Sequence, residues 1–416
     1  MTNKDILKNK IRVITEYLPD IYSVSLGLWV GVGSACEKTE VSGISHYIEH
    51  MLFKGTEKRT AKQIAETLES VGGQMNAFTA KEHTCYYAKC LNEDFDLALE
   101  LFEDMYHNSL LDPAETEREK GVILEEINMY DDSPEDLVHD IFAEKLWGAH
   151  SYGRTTIGTR ETVKNVDSNK LRQYIKGSYL PDNMVIAVAG NVKHEQVMQA
   201  VNRYFANDEG TSQADPLSAP HNHSGYTHLQ KDIEQTHLCL GVPGVAEYSD
   251  DYYTANILST ILGGGVSSRL FQEAREQRGL CYTAFSYNAF YKKAGYLAAY
   301  ASTSPDKFQE LLSVIGSEIN DIKSKSLHNG ELARAKQQIK GSILLSLENT
   351  SSIMSRIGRQ ELALGCVDTP EEVIAKVMAV SEEDVKRLAC RLLTADKLVL
   401  ATVGPQQEQV NLNGLL

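Results

Sequence analysis

The chain has 416 residues, 42% of them hydrophobic and 24% charged, an ordinary globular composition that at roughly 150 residues per domain calls for two or three domains. Disorder and collagen-like structure are excluded, and the longest apolar runs, such as Met184 to Gly190 and Leu398 to Val403, have strand length and fall short of a bilayer span. Forty-one basic residues against fifty-seven acidic ones leave a net charge of −16, a field that disfavours nucleic acid and membrane partners and favours cationic ones, basic peptides included.

In chain order, Met1 to Lys10 mixes Lys with Asp and shows neither the apolar core of a secretory signal nor the bias of a transit peptide. The seven cysteines are odd in number and contain no Cys-x-x-Cys pair, so free thiols and a cytoplasmic location are expected. Val24, Leu26, Leu28, Val30 and Val32 alternate with Ser25, Gly27, Trp29 and Gly31, the period-two mark of a half-buried strand. A helix follows from about Ser42 to Lys54, with Gly55 placed to end it. Further helical patterns cover roughly 61–71, 93–109, 114–130, 135–147 and 168–178, and strand-like stretches lie near 74–79 and 84–90. Strands and helices mixed in this way predict an α+β class, with helices packed on a largely antiparallel sheet.

The sharpest local signal is His46-Tyr47-Ile48-Glu49-His50. On a helical wheel Ile44, Ile48, Met51 and Leu52 gather within about 100°, with His46, Glu49 and His50 opposite them. A histidine that merely packs in the core would share the aliphatic stripe. Two histidines at i and i+4 present their rings to one point, as a tetrahedral Zn²⁺ requires of a helix. Glu49, on the same face, is placed to take a proton from metal-bound water rather than to bind the metal. A catalytic zinc needs a third protein ligand. The best region is the helix carrying Glu119 and Glu126, which are seven residues apart and share a face with Val122 and Met129 that is expected to point inward. Glu125 falls on a wet face. Either Glu119 or Glu126 is the ligand on this reading, with the other supporting it.

The segment Val166 to Gly190 is echoed by Val380 to Gly404 at an offset of 214; Glu115, Arg118 and Lys120 by Glu331, Arg334 and Lys336 at 216; and Leu28, Val30, Gly31 and Val32 by Leu238, Leu240, Gly241 and Val242 at 210. Three echoes in one order imply an internal duplication. The expected domains are 1–208, carrying the metal site, and 227–416, joined by a linker at 209–226 that is rich in Asp, Ser, Pro, Gly and His. The offsets put no histidine at Asn256 or Thr260 and no Glu at Ser342, so one zinc per chain is expected.

His46 to His50 followed by Met51-Leu-Phe-Lys-Gly-Thr56 resembles the inverted zinc motif of the pitrilysin-type metallopeptidases, the inverzincins, and is most similar to their processing-peptidase branch. The resemblance extends over essentially the whole chain. It implies that the last Glu of Val122-Ile-Leu-Glu-Glu126 is the third ligand, so that Zn²⁺ is held by His46, His50 and Glu126, and that Glu119 supports the site. Gly72-Gly-Gln-Met-Asn-Ala-Phe-Thr79 is similar to the family's active-site edge strand, where Asn76 and Ala77 meet the peptide backbone of an added substrate strand. Arg275 and Tyr282, after Gly263 to Phe271, match the family's pair that holds substrate and stabilises the oxyanion. In the long enzymes of the family that pair comes from the far half of a clamshell. A chain of 416 residues is one half, which implies a homodimer enclosing a chamber, or a heterodimer with a related subunit. The implied activity is zinc-dependent endopeptidase cleavage of extended or unfolded peptides, with Glu49 as general base; the other reading is a non-catalytic scaffold or partner subunit of the same fold.

Overall fold

The computed structural model describes residues 2–212, 217–328, 330–405 and 410–416. The first sheet is built from β1 (Thr2–Ile6), β2 (Arg12–Tyr17), β3 (Ser23–Val30), β4 (Gln74–Thr79), β5 (Thr84–Leu91) and β6 (Met184–Gly190), in the order β1-β2-β6-β3-β5-β4. The second contains β7 (Gly225–Gln230), β8 (Thr236–Pro243), β9 (Cys281–Phe290), β10 (Gly295–Thr303) and β11 (Val399–Gly404), ordered β7-β11-β8-β10-β9. That order repeats β2-β6-β3-β5-β4. In both sheets one pair is parallel, β2 with β6 and β7 with β11, and the remaining pairs are antiparallel. The expected α+β class, with two duplicated domains of mostly antiparallel sheet, is what the chain forms.

Register refines the duplication. Ser25 lies opposite Ala189, and His237 opposite Val403. With Ala189 and Val403 equivalent at the offset of 214, β3 and β8 match at 212, two residues from the echo read in the sequence. A shift of two keeps every side chain on its face, which is why the misaligned echo still identified the right strands.

The compact units do not follow a single cut in the chain. One comprises Met1–Ile127, Thr155–Pro216 and Leu344–Asp368; the other Asn128–Arg154, Leu217–Ile343 and Thr369–Leu416. Each half thus contributes a helical segment to the other half's unit. Helix Pro134–Trp147, started by the Ser133 side chain accepting from the Asp136 amide and ended at Gly148, packs on β8 and β11. Helix Thr350–Leu364, capped by Asn349 and ended by Gly365 at φ +71°, packs on β2, β3 and β6. Of the expected linker, residues 213–216 lie outside the described residues, and β7 already begins at Gly225.

This exchange corrects the reading of β3. Its alternation predicts one wet face, yet nearly the whole strand is buried. Val24, Leu26, Leu28 and Val30 enter the main core with Ile44, Ile48 and Met51. Ser25, Gly27 and Trp29 face helix Thr350–Leu364 instead: Ser25 Oγ bonds Thr350 Oγ1 at 2.8 Å, and Trp29 packs with Ile353, Met354 and Ile357. Small residues make room for the helix, since a Cβ on Gly358 would lie 2.3 Å from Trp29 Nε1.

Candidate metal centre and substrate edge

The motif helix runs Ile44–Leu52, shorter at both ends than the sequence pattern predicts. Gly43 enters it at φ +91°, where a Cβ would lie 2.5 Å from the Ile157 carbonyl oxygen. The buried Glu37 carboxylate accepts from the Gly43 amide at 2.6 Å and the Ser45 amide at 2.8 Å. An acid at this position meets the orphan donors and the positive end of the helix dipole. Gly55, at φ +120°, shapes the turn after the helix rather than capping it. Ile44, Ile48, Met51 and Leu52 are buried as expected, and His46 is also buried, at 8% exposure. The polar face is therefore partly covered by protein, with Glu49 and His50 half-buried.

What covers it is helix Pro113–Asp132, anchored by the Tyr47 hydroxyl donating to the Thr116 carbonyl. Glu126 Oε1 stands 3.6 Å from His46 Nε2, and Glu126 Oε2 3.6 Å from His50 Nε2. One ligand atom from each of His46, His50 and Glu126 falls within 4.8 Å of the others, and no other such group occurs among the described residues. Glu119 is not in that set. Its Oε1 lies 2.8 Å from His50 Nδ1 and its Oε2 2.7 Å from Lys54 Nζ. Glu49 is also outside the set, and its Oε2 accepts from Thr79 Oγ1 at 2.6 Å.

The inward face read for this helix needs correction. Glu119, Thr116, Ile123 and Ile127 are buried, while Val122 and Met129 are 48% and 71% exposed. At about 100° per residue, the buried four span roughly 80°, Glu126 stands about 20° beyond their edge, and Val122 and Met129 about 60° and 80° beyond it. Glu126 is thus a rim residue, facing both protein and open space. Glu125 is exposed, as expected.

Thr79 belongs to β4, the outermost strand of its sheet, which pairs only with β5. Asn76 is exposed, and its Oδ1 accepts from the Ala77 amide at 2.8 Å. Asn76 and Ala77 thus lie on the edge strand of the sheet. Beside it runs a cleft of about 630 Å³ lined by residues including Phe53, Ile64, Leu68, Met75 and Tyr87. Arg275 and Tyr282 belong to the other unit. There the Arg275 guanidinium sits 4.8 Å from the Tyr282 ring and 4.6 Å from Phe271, and Tyr282 is 76% exposed.

The "Insulinase (Peptidase family M16)" model matches residues 12–160, and the "Peptidase M16 inactive domain" model matches 165–339. An uncharacterized zinc protease of Bacillus subtilis, YmxG, is 41% identical over 97% of this chain and 98% of its own length. The chain belongs to the M16 peptidase family. Another M16 relative, an uncharacterized zinc protease of Streptomyces coelicolor, is 37% identical over 97% of this chain and 89% of its own. In fold, the crystal structure of a protease from Helicobacter pylori superposes with a TM-score of 0.91 at 22% identity, covering 97% of this chain and 99% of that one.

The donor set of this M16 chain fits a zinc ion. Two nitrogens and a carboxylate are one of the ligand sets of catalytic zinc sites, and here His46 Nε2 and His50 Nε2 each stand 3.6 Å from a Glu126 oxygen. Burial, then the neighbouring His50, push His46 down from its usual value to about 3, so its imidazole is neutral and ready to ligate. Burial raises Glu126, with His50 opposing. Burial also raises Glu49, against the hydrogen bond from Thr79, which moves it toward the range of a general base. For Glu119 burial acts upward but is outweighed by the hydrogen bonds and charges of His50 and Lys54, leaving it low.

Glu37, Lys54 and Thr79 were given no role by the sequence reading. Glu37 left no local signal, because it caps from six residues before Gly43. Lys54 and Thr79 lay inside motifs already noted, where spacing reveals membership but not partner.

Proposed function

We propose that this M16 chain is a zinc-dependent endopeptidase that cleaves extended or unfolded peptides laid along β4. The observation that supports it most is Glu49: it stands beside the converging His46, His50 and Glu126, is left out of that set, and is held by Thr79 of the edge strand. A zinc ion held by His46, His50 and Glu126 supplies Lewis acidity and lowers the pKa of water. Glu49 accepts the proton of the attacking water as its oxygen adds to the peptide carbonyl carbon. It then delivers that proton to the amine nitrogen as the C–N bond breaks. Asn76 and Ala77 hold the substrate backbone by strand addition. In this proposal Arg275 and Tyr282, presented by a second copy in a homodimer, donate to the developing oxyanion.

No described helix is long and apolar enough to cross a membrane, and a cytoplasmic peptidase of basic, unfolded peptides is the setting proposed. The test is metal removal. Dialysis against a chelator abolishes cleavage of a pool of unfolded peptides, and one equivalent of Zn²⁺ per chain restores it. Cleavage that survives full removal of metal would sink the proposal. One zinc bound without any cleavage would favour a scaffold subunit or a different scissile bond.

A further inference from the structure

We propose that Lys54 is a positioning residue of the metal site, acting through Glu119 to hold His50 with Nε2 free for the metal; this rests on the zinc-site reading above. The two nitrogens of His50 face different groups. Nδ1 lies 2.8 Å from Glu119 Oε1, while Nε2 points toward Glu126. A carboxylate at Nδ1 accepts a hydrogen bond from the N–H there and leaves the lone pair on Nε2, which fixes both tautomer and ring orientation.

Glu119 does this from a buried position, 4% exposed, where a carboxylate oxygen without a partner is expensive. Lys54 Nζ, at 2.7 Å, is the partner of the second oxygen. A lysine paired with a surface glutamate contributes little. Here the glutamate is buried and its other oxygen bonds the ring of a metal ligand, so loss of Lys54 strips the partner from one side of a buried carboxylate. Lys54 also adds positive charge where Glu119 and Glu126 face the same histidine.

The backbone is shaped for this contact. The helix stops at Leu52, the Lys54 amide donates to the Met51 carbonyl at 3.1 Å, and Gly55 takes φ +120°, a conformation that residues with a Cβ rarely adopt. The chain turns sharply at Lys54 instead of carrying it onward along the helix axis. Lys54 also lines the cleft beside β4, so the test must be made without peptide.

Metal-free wild type, Lys54→Met, Lys54→Arg, Glu119→Gln and the Lys54→Met/Glu119→Gln double variant are each titrated with Zn²⁺ against a chromophoric chelator. Lys54→Met and Glu119→Gln should each weaken zinc binding by about 10- to 100-fold, the usual effect of losing a group that orients a ligand. Lys54→Arg should recover most of the affinity. The double variant should bind no more weakly than Glu119→Gln alone, because the two residues act in series. Wild-type affinity in Lys54→Met, no rescue by Arg, or losses that multiply in the double variant would each overturn the proposal. Lys54→Ala, judged in the same way, replaces Lys54→Met if that variant does not fold. Failure of wild type itself to bind zinc would instead overturn the metal-site reading.

Discussion

His46 shows the thermodynamic burden that a buried imidazole in the proposed metal site carries. Buried at 8% exposure beside a second histidine, its pKa falls to about 3, whereas an unfolded imidazole protonates near 6.5. The unfolded state therefore takes up a proton that the folded state refuses as pH falls from about 6.5 toward 3, and the stability of the metal-free protein drops across that window. Above about pH 6.5 this residue contributes no pH dependence. Urea midpoints of metal-free protein at pH 7 and pH 5 should fall further for wild type than for His46→Gln; equal falls would contradict the assignment. His46, Glu49 and His50 were legible as a group because i, i+3 and i+4 spacing on a helix is short-range geometry. The choice of Glu126 over Glu119 was not legible in spacing. It depends on which carboxylate stands at the rim beside both histidines and which is sunk against Lys54, a tertiary relation that spacing does not contain.

Among the elements, helix Thr350–Leu364 and strand β4 matter most. The helix makes β3 buried on both faces, and its seat is tight: a Cβ at Gly358 would meet Trp29, itself 1% exposed, at 2.3 Å. Overpacking of this kind costs about 1–3 kcal/mol, partly offset by the roughly 1 kcal/mol that Ala gains over Gly in a helix. Gly358→Ala should therefore lower the thermal midpoint, and a raised midpoint would show that the seat relaxes freely. The sequence announced β3 by its alternation but not its second covering layer, because Ser25, Gly27 and Trp29 read as a wet face until a helix from more than 300 residues away is laid on them. For β4 the pattern gave the span correctly. Its place at the sheet edge followed from the resemblance, since alternation alone does not tell an edge strand from a central one.

For the whole molecule, duplication explains the repeated strand order, and among the described residues only the first half carries a His/His/Glu group that could hold a metal. The offsets in the sequence exposed the duplication, yet they could not show that residues 128–154 and 344–368 trade units, because an exchange leaves the linear order of a chain untouched. The proposed homodimer places the oxyanion donors of one copy against the zinc site of the other, and mixing inactive variants tests it. Glu49→Gln and Arg275→Ala homodimers should each be nearly inactive. If the sites are completed in trans, unfolding and refolding the two together recovers about a quarter of wild-type activity, from one intact site in each mixed dimer. If Arg275 acts on its own chain's site, or on none, the mixture stays at the sum of its parts.

The most direct test of the account is peptide hydrolysis by Glu49→Gln, with zinc content measured in the same samples. The account predicts one zinc per chain in both proteins and a fall in kcat of about 10²- to 10⁴-fold or more, the range expected for loss of a general base. A variant that keeps its zinc and cuts peptides at the wild-type rate would contradict it.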